Sequence, residues 1–541
     1  MRLALAQIDP TVGAIDDNLS LILSHIERAK RSKCDLVIFP ELAVCGYTPL
    51  DLLWRRGFVE KMQKAQEQIR QASAGIGVIV GGIVAQHHHD GENLVDPSSI
   101  CDGAGTDLFN SAIFFSDGSL LASVPKLNLP TFDVYSERRY FTPGPGAQIV
   151  DFHGKSIGIN VCEALWVNDG PTDAQASLGA EWIINISASP FFVGKREIRR
   201  RLAARRAREN GITLIYVNLV GGQDDLIFDG GSFITGPDGD LVYQAPSFVE
   251  GLFIVDTEKT SPVSAPKEDN IATARRAIVL GIRDYVRKNS FSRVIIGISG
   301  GIDSALVAAL AVEALGRDAV SGVFLPSDIS SQESRDDAHT LARSIGIDII
   351  DIPISQVVSA SHAALQQGIT GLAAENLQAR VRGMLLMALA NEHNALILTT
   401  GNKSEIAVGY NTLYGDTVGA LAPIADLYKT QVWAMARRMD GLIPQPIIDK
   451  PPTAELRPDQ KDEDDLPPYP VLDAILEQLI EKNASGDDLV TRGFPVATVD
   501  DVLARYYRSE YKRSQLPPAI KVSPKAFGSG RRVPITHRYR S

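Results

Sequence analysis

Apolar and polar residues follow two related patterns, one in each half of the chain. In the first half, short runs rich in β-branched residues alternate with helical stretches, at 36–39, 77–80, 157–161 and 182–186. In the second half, apolar runs near 294–298, 320–325, 348–352 and 395–399 alternate with helices rich in alanine and leucine. Such regular alternation is typical of an α/β protein. For the second half it predicts a doubly wound parallel sheet.

A polar segment separates these two patterns. Residues 256–270 read D-T-E-K-T-S-P-V-S-A-P-K-E-D-N and show no apolar periodicity, which is typical of a linker. We therefore predict one domain over residues 1–258, a linker over 259–272 and a second domain over 273–541.

Composition narrows the class of protein. The 541 residues are 44% hydrophobic and 22% charged, as expected for a globular protein with at least two domains. The net charge of −11 argues against a general nucleic-acid surface, which depends on excess Lys and Arg. No uncharged run reaches membrane-spanning length, and residues 1–7 lack the apolar core of a signal peptide. We expect a cytoplasmic location and no membrane partner.

The segment S-G-G-I-D-S at 299–304 follows an apolar run and precedes a helical pattern. Its glycines permit backbone conformations in which successive N–H groups point at an anion, and the helix start adds positive potential. Neither a Walker A nor a dinucleotide fingerprint is present. The segment resembles the PP-loop of ATP pyrophosphatases. The resemblance assigns to ATP the residues Gly297, Ser299, Gly300, Gly301, Asp303 and Ser304.

Three residues of the first half fit amide hydrolysis. Glu41 follows the run at 36–39, Lys126 lies in a turn braced by prolines, and Cys162 ends the run at 157–161. A carboxylate can accept a thiol proton, and an ammonium can stabilise a thiolate and a developing oxyanion. In this order along the chain they resemble the triad of the nitrilase, or carbon–nitrogen hydrolase, family. The resemblance implies an αββα sandwich in which Cys162 is the nucleophile, Glu41 the general base and acid, and Lys126 the electrostatic stabiliser.

Further segments resemble the glutaminase branch of that family, namely N-I-S-A-S-P-F at 185–191, G-K at 194–195 and Y-V-N at 216–218. By this resemblance the residues that surround the glutamine are Phe132, Glu163, Ser189 and Lys195. Phe132 and Tyr135 stand where the branch would have tyrosine and phenylalanine, which puts a substrate contact by a phenol oxygen in question. Cys45 is a rival thiol, although a packed side chain is the simpler interpretation.

A PP-loop by itself fits several classes, among them GMP, asparagine, argininosuccinate and NAD synthetases and tRNA-modifying enzymes. The downstream segments N-L-Q-A-R at 376–380, T-T-G-N-K-S-E at 399–405, Y-G-D at 414–416, L-Y-K at 427–429 and P-P-T-A-E-L at 451–456 resemble NAD synthetase. The fusion to a nitrilase-type half resembles the glutamine-dependent form. The family pattern assigns Thr400 to ATP, Lys429 and Thr453 to the phosphates and adenylate, Asp303 and Glu405 to Mg²⁺, and to deamido-NAD the residues Arg380, Glu405, Asp416 and Lys512.

The resemblance implies an enzyme that amidates deamido-NAD with ATP as co-substrate, Mg²⁺ as cofactor and glutamine as nitrogen donor. It also implies a homo-oligomer whose subunits help to build a covered route for ammonia. Two alternatives stay open, another PP-loop amidotransferase and a ligand-sensing or scaffold protein that has lost one activity.

Three other segments attract attention. His87, His88 and His89 precede Asp90-Gly91, and a polar loop is a better interpretation than a metal site, because adjacent histidines cannot easily face one ion. The basic run 195–208 predicts an amphipathic helix with most arginines on the solvated face. The acidic, proline-rich segment 459–470 predicts a mobile loop near a ligand, outside the core.

Overall fold

The computed structural model describes residues 1–55, 57–87, 106–366, 368–457 and 460–539, without the side chains of residues 87 and 106. The chain forms two compact units, one of Met1–Gln223 with Ile227–Glu268 and the other of Asp224–Leu226 with Asp269–Ser541. His88, His89 and Cys101 lie outside the described residues. The predicted domain limits stay a prediction.

The first unit contains two six-stranded sheets. The first sheet has the order β14-β1-β2-β3-β4-β5, in which β1, β2 and β3 are parallel and the other neighbours antiparallel. Its strands are β1 (Arg2–Gln7), β2 (Leu36–Ile38), β3 (Gly77–His87), β4 (Thr106–Ser116), β5 (Ser119–Pro125) and β14 (Gly251–Asp256).

The second sheet has the order β13-β12-β9-β8-β7-β6, with β7, β8 and β9 parallel at its centre. Its strands are β6 (Ile149–Phe152), β7 (Lys155–Val161), β8 (Trp182–Ser187), β9 (Thr213–Asn218), β12 (Phe233–Thr235) and β13 (Leu241–Gln244). A separate two-stranded sheet pairs β10 (Val220–Gln223) with β11 (Leu226–Asp229).

The inner faces of the two sheets form one hydrophobic core. Leu5, Ile38 and Phe114 from the first sheet pack in the same cluster as Ile159 and Ile184 from the second. Helices α1 (Ile15–Arg31) and α2 (Phe58–Ala72) contact the first sheet, and α3 (Pro171–Ser177) and α4 (Lys195–Asn210) contact the second. These four layers confirm the predicted αββα sandwich.

The second unit is built on a parallel sheet of order β17-β16-β15-β18. Its strands are β15 (Val294–Gly297), β16 (Val320–Phe324), β17 (Asp348–Asp351) and β18 (Leu396–Ile397). The helices that follow or flank them are α5 (Asn270–Lys288), α6 (Ile302–Leu315), α7 (Gln332–Ile345), α8 (Ser355–Ala364) and α9 (Leu372–His393). The apolar runs predicted these four strands, and the doubly wound parallel sheet is confirmed.

Further helices complete the second unit. They are α10 (Lys403–Val408), α11 (Lys429–Ala436), α12 (Gln445–Asp449), α13 (Tyr469–Glu481), α14 (Gly486–Thr491), α15 (Val496–Arg508) and α16 (Glu510–Arg513). Helices α10, α13 and α15 share a hydrophobic cluster that includes Ile406, Leu476 and Val502. In the parts of the chain that the structure describes, no helix is long and apolar enough to cross a membrane.

Two predictions about polar segments are wrong. The segment 459–470 was expected outside the core, yet Leu466 and Tyr469 belong to the hydrophobic cluster of the second unit and Asp462 is buried. In α4, Arg196, Arg199 and Arg206 are buried, so the prediction of a mainly solvated arginine face fails. Arg199 pairs with the buried Asp229 at 2.5 Å, and such a partner from a distant strand cannot be inferred from helical spacing.

Candidate active sites

Glu41 lies just after β2, where the chain passes very close to β3. Gly81 of β3 donates its backbone N–H to the carbonyl of Pro40 at 3.2 Å. A Cβ at position 81 would lie 2.3 Å from the backbone nitrogen of Leu42, nearer than any side chain can approach. A side chain at position 81 would therefore displace the backbone that carries Glu41.

The Glu41 carboxylate is fully buried and accepts three hydrogen bonds. Asn110 Nδ2 and Lys126 Nζ each donate to Oε1 at 2.7 Å, and the backbone N–H of Ala188 donates to Oε2 at 2.8 Å. Lys126, directly after β5, donates its own backbone N–H to the carbonyl of Asn110 at 2.7 Å. Two of the three predicted catalytic residues are thus in direct contact.

Lys126 has a second carboxylate partner that the sequence interpretation missed. Its Nζ also donates to Glu137 Oε1 at 2.7 Å, and Tyr47 Oη donates to the same oxygen at 3.0 Å. Glu137 lies in a short 3₁₀ helix (Glu137–Arg139) and is 3% exposed. The only sequence signal was a glutamate beside two arginines, and such a charged triplet usually marks a surface.

Burial and charge oppose each other in this cluster. Burial by itself lowers the pKa of Lys126, but the carboxylates of Glu137 and Glu41 outweigh it and raise that pKa. Burial raises the pKa of Glu137 to about 7, although Lys126 lowers it. Lys126 therefore stays a cation.

Cys162 begins a 3₁₀ helix (Cys162–Leu165) directly after β7, in a left-handed backbone conformation with φ 44°. The Nδ2 of Asn185 donates to its carbonyl at 3.3 Å. Burial raises the pKa of the Cys162 thiol, and Glu41 raises it further, while Lys126 lowers it. The lysine was expected to favour the thiolate, but the net effect keeps the thiol protonated, so its proton has to leave as it attacks.

The predicted glutamine contacts differ in their surroundings. Ser189 is buried, and its backbone N–H donates to Asn218 Oδ1 at 2.9 Å. Burial raises the pKa of Glu163, opposed by the charges of Lys126 and Lys195. The ammonium of Lys195 lies 5.3 Å from the ring centre of Phe192. Phe132 is 58% exposed.

In the second unit, the PP-loop is braced by its own hydroxyl groups. Ser304 Oγ donates to the carbonyl of Gly301 at 3.0 Å and accepts the backbone N–H of Ser299 at 3.2 Å. Ser299 Oγ accepts the N–H of Gly301 at 3.2 Å. These bonds hold the turn between β15 and the start of α6.

Most predicted residues of this half line one cavity. They are Gly297, Ser299, Gly301, Asp303, Ser304, Thr400, Glu405, Asp416, Lys429 and Thr453. Gly300 instead rests against α7, and Arg380 lines a second pocket beside Met384 and Tyr414.

Lys429 lies between carboxylates within this cavity. Its Nζ forms ion pairs with Asp303 and, at 3.4 Å, with Glu405 Oε1. Asn402 Nδ2 donates to Asp303 Oδ1 at 2.9 Å. Asn402 also caps α10, because its side chain accepts the N–H of Glu405 at 3.0 Å. The spacing of Asn402 and Glu405 is a capping box, and this signal could have placed Glu405 in the first turn of a helix.

Burial raises the pKa of Glu405 to about 8, against the lowering by Lys429. A third carboxylate, Asp462, accepts the hydroxyl of Tyr469 at 2.8 Å. Its Oδ1 is buried and has no hydrogen-bond partner among the described residues.

Asp416, which lines the same cavity, lies near Lys512. Asp416 keeps accessible surface in the cavity, yet the surrounding protein raises its pKa to about 6. Lys512 Nζ donates to the carbonyls of Gly409 at 2.7 Å and Asn411 at 2.6 Å. Lys512 therefore holds the chain after α10 through backbone contacts.

The segment that carries Thr453 is anchored to α7 through Ser334. Ser334 Oγ donates to Glu455 Oε1 at 2.6 Å and accepts from Lys450 Nζ at 2.8 Å. Gly300, with φ 83°, also approaches this residue, because a Cβ there would lie 2.4 Å from the Ser334 carbonyl oxygen. The PP-loop and the Thr453 segment thus share one support.

The carboxylate oxygens around Lys429 are of the kind that Mg²⁺ prefers. Within the described ranges, no group of three or more His, Cys, Asp or Glu side chains is arranged to hold a metal ion. Mg²⁺ usually takes only one or two protein carboxylates and completes its shell with phosphates and water. Asp303 and Glu405, with the unpaired oxygen of Asp462 nearby, fit such a site.

Comparison with known proteins identifies the family of each half. Residues 2–261 match the carbon-nitrogen hydrolase family and residues 274–516 match the NAD synthase family. The chain is 41% identical to the glutamine-dependent NAD(+) synthetase of Synechocystis sp., covering 99% of each chain. The chain belongs to the glutamine-dependent NAD(+) synthetase family.

Other members of this family are similar over the same extent. The synthetase of Thermotoga maritima is 38% identical, with 100% of this chain and 99% of that protein covered. The solved structure of the Acinetobacter baumannii enzyme in complex with ADP has a TM-score of 0.77 at 36% identity, covering 99% of this chain and 98% of that one. The resemblance inferred from the motifs is confirmed over the whole chain.

Proposed function

We propose that this protein makes NAD by amidating deamido-NAD, with ATP as activator and glutamine as nitrogen donor. The observation that carries the proposal is the presence of two sites in one chain of this family. One is the buried Glu41–Lys126 ion pair, whose charges act on the buried thiol of Cys162. The other is the cavity lined by the PP-loop. The first arrangement suits release of ammonia from an amide, and the second suits activation of a carboxylate by ATP.

In the first unit, Cys162 Sγ attacks the side-chain carbonyl of glutamine while Glu41 takes the thiol proton. Lys126 stabilises the oxyanion that develops on the carbonyl oxygen. Glu41 then returns the proton to the leaving nitrogen, so that ammonia departs and a glutamyl thioester remains on Cys162. Water activated by Glu41 hydrolyses the thioester to glutamate and restores the thiol. Glu163, Ser189, Lys195 and Phe132 are assigned to holding the glutamine.

In the second unit, a carboxylate oxygen of deamido-NAD attacks the α-phosphorus of ATP and pyrophosphate leaves. Ammonia then attacks the acyl carbon of the adenylate, AMP leaves, and the amide forms. The PP-loop amides, Lys429 and Thr453 offset the repulsion between the two anions. Thr400 is assigned to ATP, and Arg380, Glu405, Asp416 and Lys512 to deamido-NAD.

Asp303 and Glu405 would hold Mg²⁺ at the polyphosphate. The ion neutralises charge on the phosphates and orients them when it is bound. The chain's own part is to present both carboxylates to the cavity and to keep Lys429 beside them. We further expect a homo-oligomer, as the resemblance implies, and analytical ultracentrifugation tests this separately.

A direct assay tests the function. Purified protein is incubated with Mg-ATP and deamido-NAD, together with either glutamine or ammonium, and NAD and pyrophosphate are measured. We expect equal amounts of NAD and pyrophosphate with both nitrogen donors. Failure to form NAD with either donor would exclude the proposal.

The division of labour is tested by Cys162→Ala. Glutamine-dependent NAD formation should fall by at least about 10³-fold, because the nucleophile is lost, while ammonium-dependent formation should persist. Cys45→Ala is the matched control, since Cys45 is another buried thiol, with a pKa that burial raises to about 12. Loss of both activities in folded Cys162→Ala protein would contradict the assignment. Loss of glutamine-dependent activity in Cys45→Ala would show that Cys45, and not Cys162, is the nucleophile.

A further inference from the structure

Helix α13 contacts the beginnings of the two helices that present Glu405 and Lys429. Two of its acidic residues, Asp473 and Glu481, lie about two turns apart and so face the same side. Glu481 Oε1 accepts from Lys403 Nζ at 3.1 Å, and Lys403 begins α10. Asp473 makes the contacts nearer to the cavity.

The Asp473 carboxylate joins α10 and α11 directly. Its Oδ1 accepts the hydroxyl of Ser404 at 2.5 Å, and its Oδ2 accepts the backbone N–H of Thr430 at 2.9 Å. Asp473 is only 5% exposed. A carboxylate at the first turn of α11 also satisfies a helix N–H that has no partner within the helix.

Ser404 completes the connection. Its Oγ accepts the backbone N–H of Lys429 at 2.9 Å while its own proton goes to Asp473. Ser404 directly precedes Glu405, and Thr430 directly follows Lys429. These hydrogen bonds through Asp473 and Ser404 form a relay. The relay therefore connects the immediate chain neighbours of Glu405 and Lys429.

We infer that Asp473, acting through Ser404, is a positioning residue that sets the distance between the Lys429 ammonium and the Glu405 carboxylate. This inference rests on the proposed function, because it assigns Asp473 a role in the ATP-dependent step. Asp473 does not itself line the cavity, whereas Glu405 and Lys429 do.

The distance matters because the cluster is tightly arranged. Lys429 Nζ lies 3.4 Å from Glu405 Oε1 and also pairs with Asp303, and all three groups face the cavity together. A displacement of about 1 Å in such a group can reduce the rate of the chemical step about 10²-fold. Binding of ATP depends on many other contacts in the cavity, so its KM should change little.

The competing explanation is that Asp473 only stabilises the fold of the second unit. Its neighbours Leu472 and Leu476 belong to the hydrophobic core, so a structural role alone is a real alternative. A structural role predicts lower melting temperature and a smaller active fraction, with kcat per folded molecule unchanged. A positioning role predicts lower kcat in protein that is fully folded.

The test compares Asp473→Asn, Ser404→Ala and their double variant. Asn keeps the shape of the side chain but cannot accept from both Ser404 and Thr430. Glu477→Gln, at an exposed position of the same helix, is the matched control for loss of one negative charge. NAD formation is measured with ammonium as nitrogen donor, so that the glutaminase has no influence, and kcat and KM for ATP are obtained with the melting temperature.

We expect Asp473→Asn and Ser404→Ala each to lower kcat about 10–100-fold, with KM for ATP within about twofold of wild type. The double variant should be no worse than the poorer single variant, because both break one relay. The inference is overturned if Asp473→Asn behaves like Glu477→Gln, if its loss follows the melting temperature alone, or if the two effects multiply. A wild type that forms no NAD would overturn the proposed function and this role together, which is a distinct result.

Discussion

Each half of the chain buries a lysine between carboxylates, and the two clusters differ in what surrounds them. Lys126, Glu41 and Glu137 have side-chain exposures of 0%, 0% and 3%, so that cluster is sealed. Lys429 is equally buried at 2%, but its partners Asp303 and Glu405 are 19% and 17% exposed and line a cavity. Lys126 is therefore a fixed charge, whereas the carboxylates that pair with Lys429 are also accessible to a ligand in the cavity.

This comparison shows that ion-pair geometry alone does not reveal what a buried lysine does. A sealed pair costs much solvation free energy, and removing one partner leaves an uncompensated charge. Carboxylates at a cavity wall can instead exchange an ammonium partner for a metal ion or water. If this difference in exposure matters, removal of each lysine should have different consequences for stability.

The largest effect is expected from Lys126→Met. The change leaves Glu41 and Glu137 buried without a cation, so the first unit should lose about 3–5 kcal/mol of stability. Glutamine hydrolysis should fall at least about 10³-fold, because the oxyanion also loses its stabiliser. Ammonium-dependent NAD formation, measured at a temperature where the variant is folded, should remain.

Lys155→Met is the control for that experiment, since Lys155 pairs with Glu181 at 2.5 Å on an exposed surface. It should change stability by less than about 1 kcal/mol. If both variants are equally stable, the sealed cluster does not carry the charge that we assign to it.

Lys429→Met should lower stability less than Lys126→Met, and Mg²⁺ should reverse the loss. Without Mg²⁺, Asp303 and Glu405 then repel each other and the second unit should lose about 1–3 kcal/mol. Mg²⁺ should raise the melting temperature of this variant more than that of wild type, because the cavity gives the ion access to both carboxylates. An equal Mg²⁺ response in the two proteins would remove the proposed contrast with Lys126.

The last effect, of similar size, concerns pH and Glu137. Burial raises the pKa of Glu137 from 4.5 to about 7. Between these two pH values the Glu137 carboxyl is protonated in the folded unit and ionised in the unfolded chain. Stability should therefore fall as pH rises from about 5 to 8, by about 1–3 kcal/mol, and Glu137→Gln should lack this part of the decline.

Hydrogen exchange of the core strands β7 and β8, corrected for intrinsic rates, measures this stability. The exposed Glu60→Gln serves as control. A Glu137→Gln variant with the same pH slope as wild type would show that Glu137 ionises with an ordinary pKa.

The sequence predicted much of the fold because its signals are local. Apolar runs marked the four parallel strands of the second unit, and S-G-G-x-D-S marked the PP-loop at the end of β15. Glu41, Lys126 and Cys162 could be proposed because their order along the chain, with the short segments around them, resembles the triad of the carbon–nitrogen hydrolase family.

The polar partners of these residues were not predictable in the same way. Glu137 contacts Lys126 through a 3₁₀ turn with no periodic pattern, and Asp473 faces Ser404 from a distant helix. Helical spacing predicted a solvated Arg199, but this residue is buried and pairs with the buried Asp229. The identity of such pairs depends on which segments meet in the folded protein, and a linear pattern does not contain that information.

The shared support at Ser334 has a consequence for engineering the second unit. The glycine approach uses only the main chain of Ser334, whereas Glu455 and Lys450 use only its hydroxyl group. Ser334→Ala should therefore loosen the Thr453 segment and leave the phosphate turn in place, while a side chain at Gly300 would displace the turn itself. The segment keeps two further contacts, from Ser331 to Glu455 at 2.9 Å and from Lys450 to Asp337 at 3.2 Å. The position of the Thr453 segment and that of the phosphate turn can thus be altered separately, although both contact one residue.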